Sequence, residues 1–317
     1  MKLTLTKLFG LSVLWLALSI GCFADPPANE LLSSGRVNDV LSALNSHEDG
    51  LSLNLLSRAY FAMERWDDAV RFGEKAVRVE PSNSNYHLWL ARAYGRKAED
   101  SSPLSAAGSA RKAKNEFERA VQLDPSNVAA RVDLAEYYTE APAIMGGGLD
   151  KARAQAAQVE SYDKGMARLI LARIAIKTHD LPGADSQFHA AIKESANPAD
   201  MWLELAAFYR QQGRLDDMQN AVRSALLQPG KRSASYFDAG NELFLGSRDF
   251  PTAVQYVQKY LASGALVESA PAFRAHYLMG QLDEKMGAKQ AAAAEYQASL
   301  KLASGFVPAQ KALSRVQ

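Results

Sequence analysis

The chain holds a single cysteine, Cys22, among 317 residues, so it can build no internal disulfide and no cysteine-ligated zinc cluster. It also lacks an excess of charge: 36 Lys and Arg stand against 35 Asp and Glu, with no long run of one sign. A global field for nucleic acid is thereby excluded. Proline (12) and glycine (20) are sparse and concentrated at a few places. With 48% hydrophobic and 22% charged residues, this is the profile of a helical, folded chain. A single compact core rarely serves so many residues, so an elongated architecture is expected.

Metal and catalytic chemistry are poorly provided for. His47, His87, His179, His189 and His276 show none of the three- or four-residue spacing that sets two ligands on one helix face, and each reads as a solvated or locally hydrogen-bonded residue. No nucleophile elbow is present. Asp67-Asp68 and Asp216-Asp217, with Asp39, Asp150, Asp180 and Asp249, fall around the starts of helices, where a carboxylate caps free backbone N–H groups. Gly146-Gly147-Gly148 before Leu149, Asp150 and Lys151 lacks the strand and the Gly-Lys-Ser/Thr ending of a phosphate loop and is read as a turn. No catalytic residue, no cofactor and no metal site is expected; the chain reads as a non-enzyme.

The first residues look like an address. Lys2 and Lys7 precede an apolar stretch from Leu8 to Ile20, and small residues at Gly21 and Ala24 lead into Asp25, the three-part layout of a secretory signal peptide over residues 1–24. The stretch is shorter than the ~20 residues of a typical spanning helix. Two processing routes stay open. Cleavage after Ala24 would release a soluble periplasmic product, whereas Leu18-Ser19-Ile20-Gly21-Cys22 resembles, imperfectly, the lipobox of bacterial lipoproteins, which would make Cys22 a lipidated residue facing the periplasm.

Beyond this leader a repeat runs through the chain. Leu53, Leu56 and Tyr60, then Trp66, Ala69, Ala76 and Pro81, describe two amphipathic helices about a turn at Glu64-Arg65. Trp202, Leu205, Ala206, Tyr209, Gly213, Leu215, Val222, Ala225 and Pro229 repeat the pattern. Ala69, Ala113, Ala152, Ala184, Met218, Ala253 and Ala292 mark one small-residue position at spacings of 44, 39, 32, 34, 35 and 39 residues. A unit near 34 residues, lengthened three times, explains them.

These residues resemble the tetratricopeptide repeat. The resemblance implies an all-α fold, a right-handed superhelical solenoid of helical hairpins with a concave side. About seven repeats are expected over 51–304, with insertions near 100–110 and 140–149 that lie side by side as a lip. A partial repeat or cap is expected at 25–50, and a final helix at 305–317 covers the last repeat. Within the second insertion, Ile144 and Met145 are expected to tuck under the loop.

In repeats of this kind the first helix of each hairpin usually contacts the partner. That places Asn54, Arg58, Arg92, Arg96, Arg173, Lys177 and Arg210 in the groove, interrupted by Asp133, Glu136 and Glu140. The lysine and asparagine pattern of carboxylate-clamp repeats is not reproduced. The expected function is a protein-binding scaffold or adaptor in the bacterial envelope with a polypeptide in its groove, the alternative a lipid-anchored subunit of an outer-membrane or secretion assembly.

Overall fold

The computed structural model describes residues 27–317; the leader and Cys22 lie outside them. The described residues form 17 α-helices and no strand beyond an isolated bridge between Val267 and Ala270. A short hairpin comes first, α1 (Ala28–Ser33) and α2 (Val37–Leu44). Longer hairpins follow: α3 (Gly50–Ala62) with α4 (Trp66–Val79), α5 (Ser84–Glu99) with α6 (Pro103–Leu123), α7 (Val128–Glu140) with α8 (Leu149–Val159), and α9 (Lys164–Lys177) with α10 (Leu181–Glu194). The rest are α11 (Pro198–Gln211) with α12 (Leu215–Leu227), α13 (Ala234–Leu245) with α14 (Phe250–Ala262), and α15 (Ala272–Lys285) with α16 (Lys289–Leu302), before α17 (Val307–Val316).

Local chemistry sets each hairpin. Asp49, Asn83, Asn127 and Asp163 accept the backbone N–H of Ser52, Asn85, Ala130 and Met166 at the starts of α3, α5, α7 and α9, satisfying donors that the helix leaves free. At the turns into second helices the backbone passes through the left-handed region, at Gly35, Gly213 and Gly287 (φ 75, 71 and 82°) and at Glu64, His179 and Ser247 (φ 61, 60 and 52°). One such residue stops a helix and reverses the chain.

The aspartates expected to cap the second helices divide into two kinds. Only Asp180 and Asp249 cap, accepting from Gly183 and Thr252. Asp39, Asp67, Asp68, Asp150, Asp216 and Asp217 lie inside the first turn, where they oppose the helix dipole. Several are held by an arginine three residues away, as in Arg36–Asp39, Arg65–Asp68 and Arg214–Asp217.

All seven marker positions from Ala69 to Ala292 are at most 1% exposed, as close packing of neighbouring helices requires. The tyrosines of first helices reach back to acids on the preceding second helix: Tyr138 Oη donates to Glu118 Oε1 at 2.8 Å and Tyr94 Oη to Glu74. The α5–α6 and α7–α8 hairpins are thus each tied to the one before. The apolar core follows the repeats as a chain of clusters, one around Leu90, Leu134 and Ile170 and another around Leu205, Val222 and Leu282.

Two details of the insertions differ from expectation. The first is no loop: α6 begins at Pro103 and runs 21 residues, absorbing the extra chain into helix. The second forms a 3₁₀ turn over Ala143–Met145 and the glycine run, and there Ile144 is 92% exposed instead of tucked away. The glycines serve the turn itself. Gly146, Gly147 and Gly148 donate their N–H groups to Ala143, Pro142 and Tyr138 carbonyls, and a Cβ on Gly147 would lie 1.8 Å from the Ala141 oxygen.

The two ends of the solenoid meet. Leu32, Val37 and Val40 of the first hairpin share one buried cluster with Leu56 and Met63 of α3 and with Phe273, Ala303 and Phe306 of the last repeat. Phe306 packs edge-on against Phe273 and Tyr277, at 5.1 and 5.2 Å between ring centres. The Asn38 amide donates to the Lys301 carbonyl at 3.0 Å and its oxygen accepts from Ser304 N at 2.9 Å. The Arg274 guanidinium donates twice to the Ala62 carbonyl, at 3.0 and 2.8 Å. The final helix, α17, lies over the last repeat as expected, with Ala312 buried against Ala292 and Tyr296, and the beginning of the chain closes the rest of that end. Burying one phenylalanine stabilises by about 1.5–3 kcal/mol, against ~0–1 kcal/mol for an exposed ion pair. Apolar packing therefore dominates the seam.

Candidate functional site

Closure turns the concave face into the inside of a ring. The first helices line it, and α5, α7, α9, α11 and α13 set arginines and carboxylates there because residues three, four or seven apart share one helix face. A cavity of about 910 Å³ opens on this face, lined by residues of α3 to α7, the 3₁₀ turn, the segment 268–271 ahead of α15 and Arg274 in its first turn. It draws on both ends of the chain.

One wall of the cavity is aromatic and cationic. Phe61 packs edge-on against Trp66 and Trp89, with ring centres 5.3 and 5.5 Å apart. The Arg58 and Arg92 guanidinium carbons stand 5.1 and 4.7 Å from the Trp89 ring centre, and that of Arg96 stands 5.5 Å from Trp66. At such distances the electron-rich indole face attracts a cation. The opposite wall, α7, presents Asp133, Glu136 and Glu140.

The charges are paired, and the pairs differ in kind. Arg92 Nε reaches Asp133 at 2.6 Å and Arg58 holds Glu268, all four half-buried. Arg96 has only Glu99, three residues on at 2.6 Å, and both are exposed. Arg173 bridges Glu136 at 2.7 Å and Glu204 at 3.5 Å, Lys177 reaches Glu140 at 2.8 Å, and Arg210 holds Glu242 at 2.8 Å.

Burial shifts several of these groups. Desolvation raises Glu136 above the usual carboxylate range, with Arg173 opposing, and raises Glu242 against the pull of Arg210. Asp238 is pushed up to about 7 by desolvation and then by the charge of Asp200. Desolvation works against the charge of Arg173, but Glu204 and Glu136 outweigh it and hold the group above its ordinary value.

Of the residues expected in the groove, Arg58, Arg92 and Arg96 come together in the cavity. Arg173, Lys177 and Arg210 continue as a ladder of cross-repeat ion pairs beyond it. Asn54 does not belong with them: it is 2% exposed, packed inside the helix stack, because one turn before Arg58 the α3 face still touches its neighbours. The sequence reading missed Phe61, Trp89, Glu268 and Arg274. Trp89 was findable, since it stands three residues before Arg92 and so shares its face. His87 is a buried structural residue, with Nδ1 2.5 Å from Glu116 and Nε2 3.0 Å from the Pro81 carbonyl oxygen. Among the described residues no cluster of three or more His, Cys, Asp or Glu is placed to hold a metal ion, and no helix is long and apolar enough to cross a membrane.

A family model described as tetratricopeptide repeat matches residues 54–99 and 169–217. Comparison with curated proteins gives no match. Among solved structures, the chain is similar to a chain of the APC/C hetero-tetramer Cut9–Hcn1, at 14% identity and a TM-score of 0.42 over 91% of this chain and 54% of that one. It is similar to yeast Tom70 at 15% identity and 0.47, over 94% of this chain and 66% of that one. It is similar to PilW, a type IV pilus biogenesis factor, at 19% identity and 0.43, over 74% and 97%. The chain thus spans about half the length of the first of these (54%).

Proposed function

We propose that this chain, a tetratricopeptide-repeat protein, is a binding scaffold of the bacterial cell envelope that holds a short polypeptide segment inside its closed ring. The repeat itself supports protein–protein interaction in general, since stacked hairpins present a continuous inner surface. The observation that carries the narrower reading is the cavity of about 910 Å³ with Phe61, Trp66 and Trp89 on one wall and carboxylates on the other. Its size sits at the upper end of ordinary ligand pockets, roughly 300–1,000 Å³. A bounded pocket suits a few extended residues better than a long helix laid along an open groove.

The envelope setting rests on the leader pattern of residues 1–24. The lipid-anchored alternative rests on Cys22 behind Ser19-Ile20-Gly21.

Affinity capture from envelope extracts tests the reading, with mass spectrometry of the captured proteins and of the bait's own N-terminus. The expected result is a reproducible partner that is lost when Gly95→Phe fills the cavity. A partner retained by that variant would move binding to another surface. A bait beginning at Asp25 supports the soluble product, and one beginning at a lipidated Cys22 supports the anchored form. Capture of no protein would overturn the polypeptide reading.

A further inference from the structure

The cavity has a polarity that the ion pairs inside it do not cancel. Arg92 and Arg96 lie four residues apart on α5, with Arg58 of α3 beside them; Asp133, Glu136 and Glu140 lie three and seven residues apart on α7. The arginines thus stand on α3 and α5, with Glu268 and Glu99 paired to two of them, while α7 presents carboxylates alone. The inner pairs, Arg58–Glu268 and Arg92–Asp133, are half-buried and hold Trp89 in place. Withdrawing either arginine would strand a carboxylate in a desolvated place, which is costly. These two are fixed parts of the wall.

The outer groups are free to change partner. Arg96 pairs in charge only with Glu99, beside its contact with the Trp66 ring, and Glu140 only with Lys177, and all four side chains are substantially exposed. Exposed pairs of this sort contribute little, so exchange for a ligand charge in a less hydrated setting costs little and returns a stronger contact. Glu136 faces the cavity with much of its side chain exposed and Arg173 as a partner at 2.7 Å; its remaining acceptor capacity is open to a second cation. Beside the charged groups, Phe61, Trp66, Trp89 and Met145 give the cavity an apolar surface.

We infer that the cavity selects a peptide segment carrying charges of both signs about a central aromatic or long aliphatic side chain, its carboxylate on Arg96 and its cation on Glu136 and Glu140. This inference rests on the polypeptide-binding reading above. It adds to it a sequence class: an acidic residue, a large apolar residue and a basic residue close together. A wholly acidic or wholly basic segment satisfies one set of charges and places like charge against the other.

Terminally blocked pentapeptides with a central phenylalanine, flanked by Glu and Lys in both orders, by Glu alone, by Lys alone or by Ala alone, test this against the full chain. Fluorescence of Trp66 and Trp89 is the readout. A mixed-charge peptide is expected to bind at least tenfold more tightly than any single-sign or neutral one. Arg96→Glu is expected to remove that advantage and to raise affinity for the Lys-flanked peptide, while Arg96→Glu with Glu140→Lys reverses the preferred order of flanks. Both positions are exposed, so the variants fold. Equal affinity for all flanks overturns the charge selection and leaves the polypeptide-binding reading standing. No fluorescence response to any of the peptides counts against both, and a response unchanged by Gly95→Phe places binding outside the cavity and overturns the inference as well.

Discussion

Arg58 and Glu268, 210 residues apart in the chain, face each other as a two-pronged ion pair, the Arg58 Nε donating to Glu268 Oε1 at 2.9 Å. The pair joins the first long hairpin to the segment that leads into the last, beside the Trp89 ring. It follows that Glu268→Gln lowers stability by about 1–2 kcal/mol, the range for a charge-assisted hydrogen bond. A double-mutant cycle with Arg58→Met in denaturant recovers a coupling of that size. Small-angle scattering should still show a closed particle, because the apolar cluster around Phe306 remains. An elongated profile for Glu268→Gln alone would mean that charge, not packing, closes the ring.

Gly35 tests the seam from the other side. Its φ is 75°, and a Cβ there would lie 2.4 Å from the Ala272 backbone nitrogen. Gly35→Ala therefore combines left-handed strain of roughly 1–2 kcal/mol with a backbone clash between the chain's two ends. A loss of about 2 kcal/mol or more in urea unfolding is expected. Gly213→Ala has the same sign of φ but nothing within 4 Å of its Cβ, so it should lose only the strain.

Gly95 gives the converse experiment. It lies within α5 on the cavity wall, and an added Cβ there meets nothing within 4 Å. Gly95→Ala should be neutral or stabilising by up to about 1 kcal/mol through helix propensity, with peptide affinity little changed. Gly95→Phe should keep the thermal midpoint of the parent within a few degrees while abolishing binding. A collapse of the midpoint in the phenylalanine variant would show that the space is needed for folding.

The acid inside the ring predicts a pH dependence. Asp238 rises from 3.8 to about 7 in the folded chain, through desolvation and then through Asp200, with Glu204 and Glu242 adding to the shift and Arg232 opposing it. Between those values the native state holds a proton that the unfolded chain has released, so stability falls as pH rises through this window. Asp238→Asn should flatten the slope between pH 4 and 7 and raise stability at pH 8 by more than about 1 kcal/mol. Denaturant midpoints across pH 4–8 decide it. An unchanged slope would remove Asp238 as its source.

The repeat register was legible in the sequence to the residue. Ala69, chosen for its place in the pattern, is fully buried, and its carbonyl accepts from Ser57 Oγ at 2.7 Å. Ala69→Arg is accordingly expected to cost roughly 3 kcal/mol or more, and an unchanged thermal midpoint would contradict the packing. Periodicity reports such contacts because every repeat makes them again. The seam was not legible: Gly35 shares its turn with Gly213 and Gly287, but its approach to Ala272, like the contacts of Glu268, Arg274 and Phe306, is made once and has no counterpart to compare with. The cavity was half legible. Helical spacing put Arg58, Arg92 and Arg96 on the inner face, but charge alone did not tell that Arg58 and Arg92 are already committed. Reversing those two charges, which the sequence alone suggests as a binding test, would disturb the fold as well. Asn54 failed for a related reason: which side of α3 is inner depends on how far the ring has curved.

The first hairpin also has a consequence in time. Leu32, Val37 and Val40 are among the earliest of the described residues to be made, yet Phe273, Ala303 and Phe306, which bury them, come last. Each hairpin between can settle on its predecessor as it emerges, through contacts short in sequence, which form fast. The first pair meets Leu56 and Met63 of α3 early, but its other side has to wait. Until the chain is completed, the part of that cluster that Phe273, Ala303 and Phe306 cover stays open, and a second unfinished copy carries the same surface. Shielding that interval is the demand that a ring built from a linear repeat places on whatever helper attends its synthesis.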